Sequence, residues 1–275
     1  MSWTPLQVRA LRLEADDVLG VELAPPAPAP LPFDWAPGAH VDLRLGNGVV
    51  RQYSVVSLPE DGHVYLGIKR EKASRGGSQW LHEHLRLGAR VEVGLPRNFF
   101  NLQPGTGQVV LVAAGIGVTP LLAMYRQCQA QGRSVRLLFF TRDAKQVPFV
   151  QYLDANTEVH AGLRAPMIAG YLEEHLPAWD GSASLYCCGP AGFMDCVEHV
   201  ALASGWPSGA VMSAEAGAVF GAHGMGYETI LRNLALLNVL VGLPLTLWWF
   251  RLPGERPVSG TKADDGPPLV RSGVS

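Results

Sequence analysis

The sequence predicts an antiparallel β-barrel followed by a doubly wound α/β domain with a parallel sheet, and then an atypical tail that carries one apolar helix. Three observations support this fold class. Residues 6–100 hold short alternating apolar runs broken by turn residues, which is typical of a barrel. From residue 109 onward, apolar strands alternate with helical segments, which indicates a parallel sheet covered on both faces. The length of 275 residues allows two domains, each with its own core.

Composition narrows the class of function. Apolar content of 48% and charged content of 17% fit a soluble globular protein, and a net charge of -2 gives no support to nucleic-acid binding. The four cysteines form no C-x-x-C pair. Neither a disulfide framework nor a metal site is therefore indicated, and a reducing, cytoplasmic compartment is favoured. The N-terminal segment carries acids and no apolar run, which argues against a signal peptide.

The elements can be placed along the chain from these patterns. The first domain, residues 1–103, is predicted to contain strands at Leu6–Ala10, Val18–Leu23, His40–Leu45, Val49–Val56, Val64–Ile68 and Val91–Val93, and a short helix at Ser78–Leu85. Asn47-Gly48 is a strong hairpin signal. The second domain, residues 108–212, is predicted to contain strands at Val109–Ala113, Val135–Phe140 and Ser184–Cys188, and helices at Pro120–Ala130 and Gly192–Ala203.

The strongest local motif is the strand, glycine turn and helix of residues 109–130. Gly115 and Gly117 let the backbone turn sharply and approach a ligand, and the helix directs free N–H groups and its positive dipole end at the turn. Thr119 is predicted to be the N-cap and Pro120 the first helical residue. The motif predicts a pyrophosphate site. Packing alone is the alternative, because the third glycine of the dinucleotide fingerprint is missing.

A second anion site is predicted in the barrel. Arg75-Gly76-Gly77-Ser78 leads into the short helix, and Arg51-Gln52-Tyr53-Ser54 ends a strand. Glycines before a helix, a hydroxyl at the cap and nearby arginines are typical of a phosphate site. Arg51 and Tyr53 share one face of the strand, so they can hold a phosphate and stack on a ring side by side. Two phosphate sites imply two nucleotides. The alternative is that Arg51 pairs with a surface acid and Tyr53 belongs to the core.

Residues 1–212 resemble the ferredoxin–NADP reductase superfamily, and within it the phthalate dioxygenase reductase and vanillate demethylase reductase group. The order and spacing of several short segments carry this resemblance. The matching segments are Trp35-Ala36-Pro37-Gly38-Ala39-His40, Arg51-Gln52-Tyr53-Ser54, Ile68-Lys69-Arg70-Glu71, Arg75-Gly76-Gly77-Ser78, Pro96-Arg97-Asn98-Phe99-Phe100, residues 113–120 and Cys188-Gly189-Pro190.

The resemblance implies an FR-type flavin-binding barrel, usually with FMN in this group and with FAD as the alternative, followed by a nicotinamide-binding domain. In that case Arg51 and the Gly76-Gly77-Ser78 turn hold the flavin phosphate. Tyr53 packs on the isoalloxazine, and Ser54 hydrogen-bonds near its N5. The other cofactor-binding residues that the resemblance implies are Ile68, Lys69 and Arg75 in the barrel, and Gly115, Gly117, Thr119, Pro120, Cys188, Gly189 and Pro190 in the second domain, with Thr119 and Cys188 close to the nicotinamide.

The implied chemistry is hydride transfer from nicotinamide to flavin, for which the protein supplies orientation, a hydrogen bond at N5 and exclusion of water. No acid–base side chain is required. His82 and His84 are interpreted as surface or packing residues, because they lie on different faces of a helix. Coenzyme choice is ambiguous, since Arg142 favours NADPH and Asp143 favours NADH unless it only caps a turn. The group favours NADH, which is therefore expected.

The predicted protein is an NADH-dependent flavoprotein reductase with a separate electron acceptor. That acceptor is expected to be a ferredoxin, a haem protein, or the oxygenase or demethylase component of a multi-protein system. The alternatives are a flavin or quinone reductase with a small acceptor, and a non-catalytic redox sensor or membrane-bound interaction module.

The tail, residues 213–275, departs from the family pattern. No cysteine follows Cys196, so the [2Fe–2S] domain with which most members of the group end is expected to be absent. Residues 234–250 form an uncharged apolar run, for which membrane association and packing on the protein are equal alternatives. The residues after Gly254 are expected to be disordered. A frame-shifted remnant of a lost cluster domain is a further explanation.

Overall fold

The computed structural model describes residues 2–215, which form a six-stranded sheet, a five-stranded sheet and four α-helices. The first sheet contains β1 (Trp3–Ala15), β2 (Val18–Ala24), β3 (His40–Arg44), β4 (Val50–Ser54), β5 (Val64–Lys69) and β6 (Arg90–Gly94), with α1 (Ser78–His84) between the last two strands. The second part contains β7 (Val109–Ala114), α2 (Val118–Ala130), β8 (Val135–Thr141), β9 (Thr157–Ala161), α3 (Ala165–His175), β10 (Ser184–Gly189), α4 (Ala191–Ala203) and β11 (Val211–Glu215).

The first sheet closes into a barrel. Its strand order is β4-β3-β6-β1-β2-β5, and every pair of neighbours is antiparallel. The two outer strands meet where Val55 forms an isolated antiparallel bridge with Leu66. Side chains alternate between the two faces of a strand. The buried core of the barrel includes Leu6, Val41 and Ile68, and β4 adds the half-buried Tyr53. The predicted antiparallel barrel is confirmed.

The second sheet is parallel, with strand order β11-β10-β7-β8-β9. Val109 and Leu111 of β7 pack in the same core as α2, whereas Val110 and Val112 pack with α3 and α4. Helices therefore cover both faces, and the predicted doubly wound architecture is confirmed.

Three elements of this second part were missed by the sequence patterns. β9 and β11 are the edge strands, and their described side chains are half-buried or exposed, so neither strand shows the continuous apolar run of an inner parallel strand. Only Ile168 and Leu172 are buried in α3, which makes its apolar stripe short. β11 extends to Glu215, beyond the predicted domain limit at residue 212.

Two predicted helix caps were wrong. α2 begins one residue before Thr119 and is preceded by Gly117, and the Thr119 hydroxyl donates to the carbonyl oxygen of Ile116 at 2.9 Å inside the turn. α1 is likewise preceded by Gly77, and Ser78 is its first residue. In both places a glycine takes the capping position, so bare backbone lies where the sequence pattern suggested a hydroxyl.

The barrel and the second domain share one apolar core. Val56, Tyr65 and Phe100 of the barrel are buried in the same cluster as side chains of β7, β8, β10 and α2. The ring of Phe149, which is 0% exposed, meets Tyr65 edge-on with ring centroids 5.9 Å apart. Burial of one such large side chain stabilises the folded state by about 1.5–3 kcal/mol. This contact holds the two domains in one relative position.

Polar contacts reinforce the same interface. Arg126 of α2 donates two hydrogen bonds to the carboxylate of Asp61, at 2.6 and 2.8 Å. Glu14 of β1 accepts from the hydroxyl of Tyr65 and from the amide of Phe149, the latter at 3.1 Å. Phe149 has a φ of 60°, a left-handed conformation that costs about 1–3 kcal/mol in a residue other than glycine. Burial and the bond to Glu14 hold it there.

The predicted apolar tail helix, residues 234–250, belongs to residues 216–275, which lie outside the described part of the chain. Between residues 2 and 215, none of the helices has the length and apolar character that a bilayer crossing needs.

The substitution Asp61→Asn should weaken the contact between the barrel and α2. Only 24% of the Asp61 side chain and 20% of the Arg126 side chain are exposed. Hydrogen bonds between charged groups contribute about 1.5–3 kcal/mol, so we expect the free energy of unfolding at pH 7, measured in urea, to fall by about 1–2 kcal/mol.

The contribution of Asp61 to stability depends on pH with a definite sign. Burial raises the pKa of Asp61, but its hydrogen bonds with Arg126 and Leu58 outweigh this, so the pKa lies below the ordinary value of 3.8. A lowered folded-state pKa stabilises the protein above 3.8, and this stabilisation is lost as the pH falls through the folded-state pKa. The difference in the free energy of unfolding between Asp61→Asn and wild type should therefore shrink as the pH falls over that range.

The control is Glu92→Gln, which breaks an exposed pair with Arg44 and should lower the free energy of unfolding by less than about 0.5 kcal/mol. Equal losses in the two variants at pH 7 would contradict the prediction.

Candidate functional site

The carboxyl ends of β7 and β10 lie side by side in the middle of the parallel sheet, where Ala113 pairs with Cys188. The chain passes from β7 to β8 and β9 on one side, and then crosses to β10 and β11 on the other. Such a reversal is a topological switch point, and ligands of open α/β sheets bind there, outside the carboxyl ends of the strands. The turns after β7 and β10 therefore lie where ligands of this type of sheet bind.

The two turns touch through their glycines. A side-chain carbon on Gly117 would lie 2.3 Å from the carbonyl oxygen of Cys188, so only glycine fits there. A side-chain carbon on Gly189 would lie 2.9 Å from the Cβ of Ala114. Gly115 has a φ of 54°, and no atom of residues 2–215 lies within 4 Å of the place a side chain would take. The predicted turn thus offers bare backbone that is open on its outer side.

Thr119 joins this turn to the barrel. Its side chain is 5% exposed, and its methyl group lies 2.9 Å from the place that a side chain on Gly67 of β5 would take. The ring of Phe149 lies 2.6 Å from the same place. The strand β5 can approach the turn only because residue 67 is glycine. Thr119 and the neighbouring Pro120, both buried, therefore lie at the junction of the two domains.

Arg51 and the turn at residues 75–77 meet on the barrel and form what we call the cradle. The Arg51 guanidinium donates to the carbonyl oxygens of Val50 and Arg75, both at 2.8 Å. A side-chain carbon on Gly77 would lie 2.6 Å from Cγ of Arg51. Gly76 has a φ of 81° and Gly77 a φ of -86°. Successive residues of opposite hand form a nest of backbone N–H groups that binds anions. Among residues 2–215 the partners of Arg51 are carbonyl oxygens and not a surface acid.

Three other predicted flavin residues have their polar groups engaged within the protein. Ile68 is buried in the barrel core, and its carbonyl oxygen lies 2.8 Å from a ring nitrogen of His82. The Ser78 hydroxyl accepts from the amide of Glu71 at 3.1 Å. Lys69 lies 3.8 Å from a carboxylate oxygen of Asp17. The arginines and the two glycines of the cradle remain the candidate anion-binding groups of this part of the barrel.

Tyr53 and Ser54 end β4, beside the cradle. Tyr53 is half-buried and packs against the barrel core, and burial raises its pKa although Arg51 opposes the shift. It is consequently a neutral phenol at physiological pH. Ser54 is half-buried opposite His40 of β3.

The cysteines at the end of β10 are neutral thiols. Burial raises the pKa of Cys188, which is 3% exposed, and raises that of Cys187 to about 12. Cys188 packs on the α2 side of the sheet and Cys187 on the side of α3 and α4. Because the thiolate is the reactive form of cysteine, neither residue is poised as a nucleophile. Cys188 can line a ligand without reacting with it.

Arg142 and Asp143 follow β8 at the same edge of the sheet, and both are exposed. The carboxylate of Asp143 accepts from the amide of Lys145 at 3.0 Å, and the hydroxyl of Thr141 donates to the Asp143 carbonyl oxygen at 2.9 Å. Asp143 therefore caps a turn, as one of the two sequence interpretations expected. This contact orients its carboxylate toward its own loop.

Asn47 is a site residue that the sequence analysis identified only as part of a hairpin turn. Its side-chain amide donates to the carbonyl oxygen of Gly76 at 2.8 Å, and so ties the β3–β4 hairpin to the cradle. The Asn-Gly pair predicts the turn, but no local pattern predicts that its side chain reaches a residue 29 positions later.

No family model matches the chain. Individual relatives nevertheless assign it to a family. It is 38% identical over 215 residues to a putative toluene-4-sulfonate monooxygenase system reductase subunit of Comamonas testosteroni, covering 75% of this chain and 66% of that protein. It is 35% identical over 226 residues to the phthalate dioxygenase reductase of Burkholderia cepacia, covering 76% and 68% respectively. The chain thus spans about two thirds of the length of these curated relatives.

A solved phthalate dioxygenase reductase superposes with a TM-score of 0.72 at 31% identity, covering 78% of this chain and 68% of that one. An antiparallel barrel followed by a doubly wound parallel domain defines the class of two-domain reductase folds. Within that class, the chain belongs to the phthalate dioxygenase reductase group of the ferredoxin–NADP reductase superfamily.

The substitution Gly117→Ala should separate the two switch-point turns. The added carbon would meet backbone, the carbonyl oxygen of Cys188, which cannot rotate away. Overpacking of this kind costs about 1–3 kcal/mol, and we expect a loss of that size in the free energy of unfolding measured in urea.

The matched control for this substitution is Gly192→Ala in α4. Among residues 2–215, apart from the adjacent residues and the backbone of α4 itself, no atom lies within 4 Å of the new carbon. That change should stabilise the protein by up to about 1 kcal/mol, because alanine favours a helix over glycine. If Gly117→Ala behaved like Gly192→Ala, the close contact between the turns would be refuted.

Proposed function

We propose that this chain is an NADH-dependent flavoprotein reductase that passes electrons from NADH through FMN to a separate acceptor. The observation that carries the proposal is that two glycine turns suited to anions lie on two domains joined by one buried core: the cradle on the barrel, and the turns at the switch point of the parallel sheet. Family membership supports the same activity, because the relatives are named as reductases of oxygenase systems.

The cradle fits a flavin phosphate. Arg51 and Arg75 supply positive charge, and the nest of Gly76 and Gly77 supplies backbone donors. A side chain at residue 77 would collide with Arg51, so the glycine is needed for the arginine to lie there. Tyr53, half-buried beside the cradle, would contact the ring system.

The surroundings of the cradle support FMN over FAD. Asn47 closes one side through its bond to Gly76, and Trp80 stacks on His84 of α1 with ring centroids 5.3 Å apart. These residues and Glu83 line a cavity of about 160 Å³, whereas pockets for larger organic ligands measure about 300–1,000 Å³. This cavity beside the cradle is too small for the adenosine diphosphate extension of FAD, and the Glu83 carboxylate in its wall would repel the phosphates of that extension.

The switch-point turns fit a dinucleotide. Gly115 and Gly117 present backbone without side chains, and Gly189-Pro190 forms the facing turn. Thr119 and Cys188 lie on the inner side, toward the barrel and the shared core, and would line the nicotinamide.

The two cofactors, when bound, supply hydride transfer from nicotinamide to flavin and release of single electrons. The residues of this chain orient the ligands and keep water out. Thr119, Gly67 and Phe149 close the domain junction by direct contact. Tyr53 and Cys188 are neutral because burial raises the pKa of each, so both can line the ligands without exchanging protons at physiological pH.

The acceptor is proposed to be a separate protein: a ferredoxin, a haem protein, or the oxygenase or demethylase component of a multi-protein system. The solved phthalate dioxygenase reductase is described as a modular structure for electron transfer from pyridine nucleotides to [2Fe–2S], and this chain spans 68% of its length. The reductase names of the relatives support an acceptor of this class.

The central test is anaerobic reduction of the purified full-length protein. We expect a flavin absorbance spectrum, FMN as the flavin released on denaturation, and bleaching of the absorbance by NADH, with reoxidation by a ferredoxin or cytochrome. A colourless protein that fails to take up added FMN would defeat the proposal, as would a flavin that neither NADH nor NADPH reduces. Turnover with free flavins or quinones, but not with protein acceptors, would favour the small-acceptor alternative.

Coenzyme choice can be tested with Arg142→Ala. We expect wild type to show a higher kcat/KM with NADH than with NADPH. Because Arg142 is exposed at the end of β8, its removal should lower kcat/KM for NADPH by about tenfold, the effect of one lost charge-assisted hydrogen bond. The value for NADH should change less than twofold.

The control is Arg90→Ala, which removes an exposed arginine from the barrel strand β6. It should change neither coenzyme's kcat/KM. Equal losses with NADH and NADPH in Arg142→Ala would show that this residue does not act on the 2′-phosphate.

A further inference from the structure

We infer that Asn47 is a positioning residue of the cradle, through which the β3–β4 hairpin orients the backbone N–H groups of Gly76 and Gly77 for the flavin phosphate. The inference rests on the proposed function, since it concerns the ligand of the same site. The contact that motivates it is the 2.8 Å hydrogen bond from the Asn47 side-chain amide to the Gly76 carbonyl oxygen.

The Asn47 side chain is held at both of its polar atoms. Nδ2 donates to Gly76, and Oδ1 accepts from the amide of Val49 at 3.2 Å. The hairpin loop itself is closed by a bond from the amide of Gly48 to the carbonyl oxygen of Leu45 at 2.9 Å. Reversing the side-chain amide would set two oxygens against each other at Gly76. The hairpin therefore presents a donor to the cradle in one orientation.

Peptide geometry converts this bond into an orientation of the nest. In a trans peptide, the carbonyl of one residue and the N–H of the next point in opposite directions. Arg51 holds the carbonyl oxygen of Arg75, and Asn47 holds that of Gly76, both at 2.8 Å. Both carbonyls point toward these donors, so the following N–H groups, those of Gly76 and Gly77, point away from them.

The hydrogen bond from Asn47 to Gly76 matters because two successive glycines have unusual conformational freedom. Gly76 needs a φ of 81° and Gly77 a φ of -86° for the nest to form. Without the bond from Asn47, the nest would be populated for only part of the time, and the apparent affinity for its ligand would fall by that fraction. The loss would concern the phosphate alone, because Asn47 lies on the hairpin loop, whereas Tyr53 packs on the barrel core.

The test compares FMN with riboflavin, which has the same ring system and no phosphate. Dissociation constants of both are measured by fluorescence quenching with full-length wild type, Asn47→Ala, Asn47→Asp and Asn101→Ala. Asn101 is an exposed asparagine outside the hairpin and serves as the matched control. Asn47→Ala should weaken FMN binding by about threefold to tenfold, the effect of one hydrogen bond. Asn47→Asp should weaken it more, because a carboxylate cannot donate to Gly76 and repels a phosphate.

Riboflavin affinity should stay within twofold of wild type in every variant, and Asn101→Ala should bind both ligands as wild type does. Asn47→Gly keeps a residue suited to the turn and should repeat the FMN-specific loss if the alanine variant folds poorly. Unchanged FMN binding in the Asn47 variants, or equal losses of FMN and riboflavin, would overturn the positioning role. A wild-type protein that binds FMN no more tightly than riboflavin would instead overturn the phosphate cradle, and the inference with it.

Discussion

The apolar contact between Tyr65 of the barrel and Phe149 of the second domain is the constraint on which the site depends. It lies in a core that both domains share. Two residues farther along β5, Gly67 lets the barrel approach Thr119 at the start of α2. The left-handed backbone of Phe149 is tolerated because its ring is buried and its amide is bonded to Glu14. Packing in this core therefore fixes the position of the cradle relative to the switch-point turns.

The backbone contributes more than side-chain chemistry to both candidate anion sites. At the switch point, Gly117 lies against the carbonyl of Cys188; on the barrel, Gly77 lies against Arg51. Two nearby side chains of acid or nucleophile type, Tyr53 and Cys188, are kept neutral by burial, which raises the pKa of each. Such an arrangement suits ligands that carry their own reactivity, for which the protein supplies position and a dry environment.

The sequence patterns predicted the barrel, the doubly wound domain and the pairing of an arginine with two glycines in the cradle. They failed where local signals compete with tertiary packing. Thr119 and Ser78 have good capping side chains, yet Gly117 and Gly77 take the cap positions. The Cys188 carbonyl at Gly117 and the Arg51 side chain at Gly77 leave no room for a side chain at either position. Edge strands β9 and β11 were missed because, within residues 2–215, one side of each lacks a neighbouring strand, which removes the need for a continuous apolar run.

The sequence by itself determined the types of the inner elements and the two glycine turns, because apolar periodicity and glycine spacing act over a few residues. Only the tertiary structure decided which of these turns meet and what holds them. The amide of Phe149 reaches Glu14 across 135 positions, and Asn47 reaches Gly76 across 29. Contacts of this separation arise from how the barrel closes and how the core packs, so no pattern local to either residue can encode them.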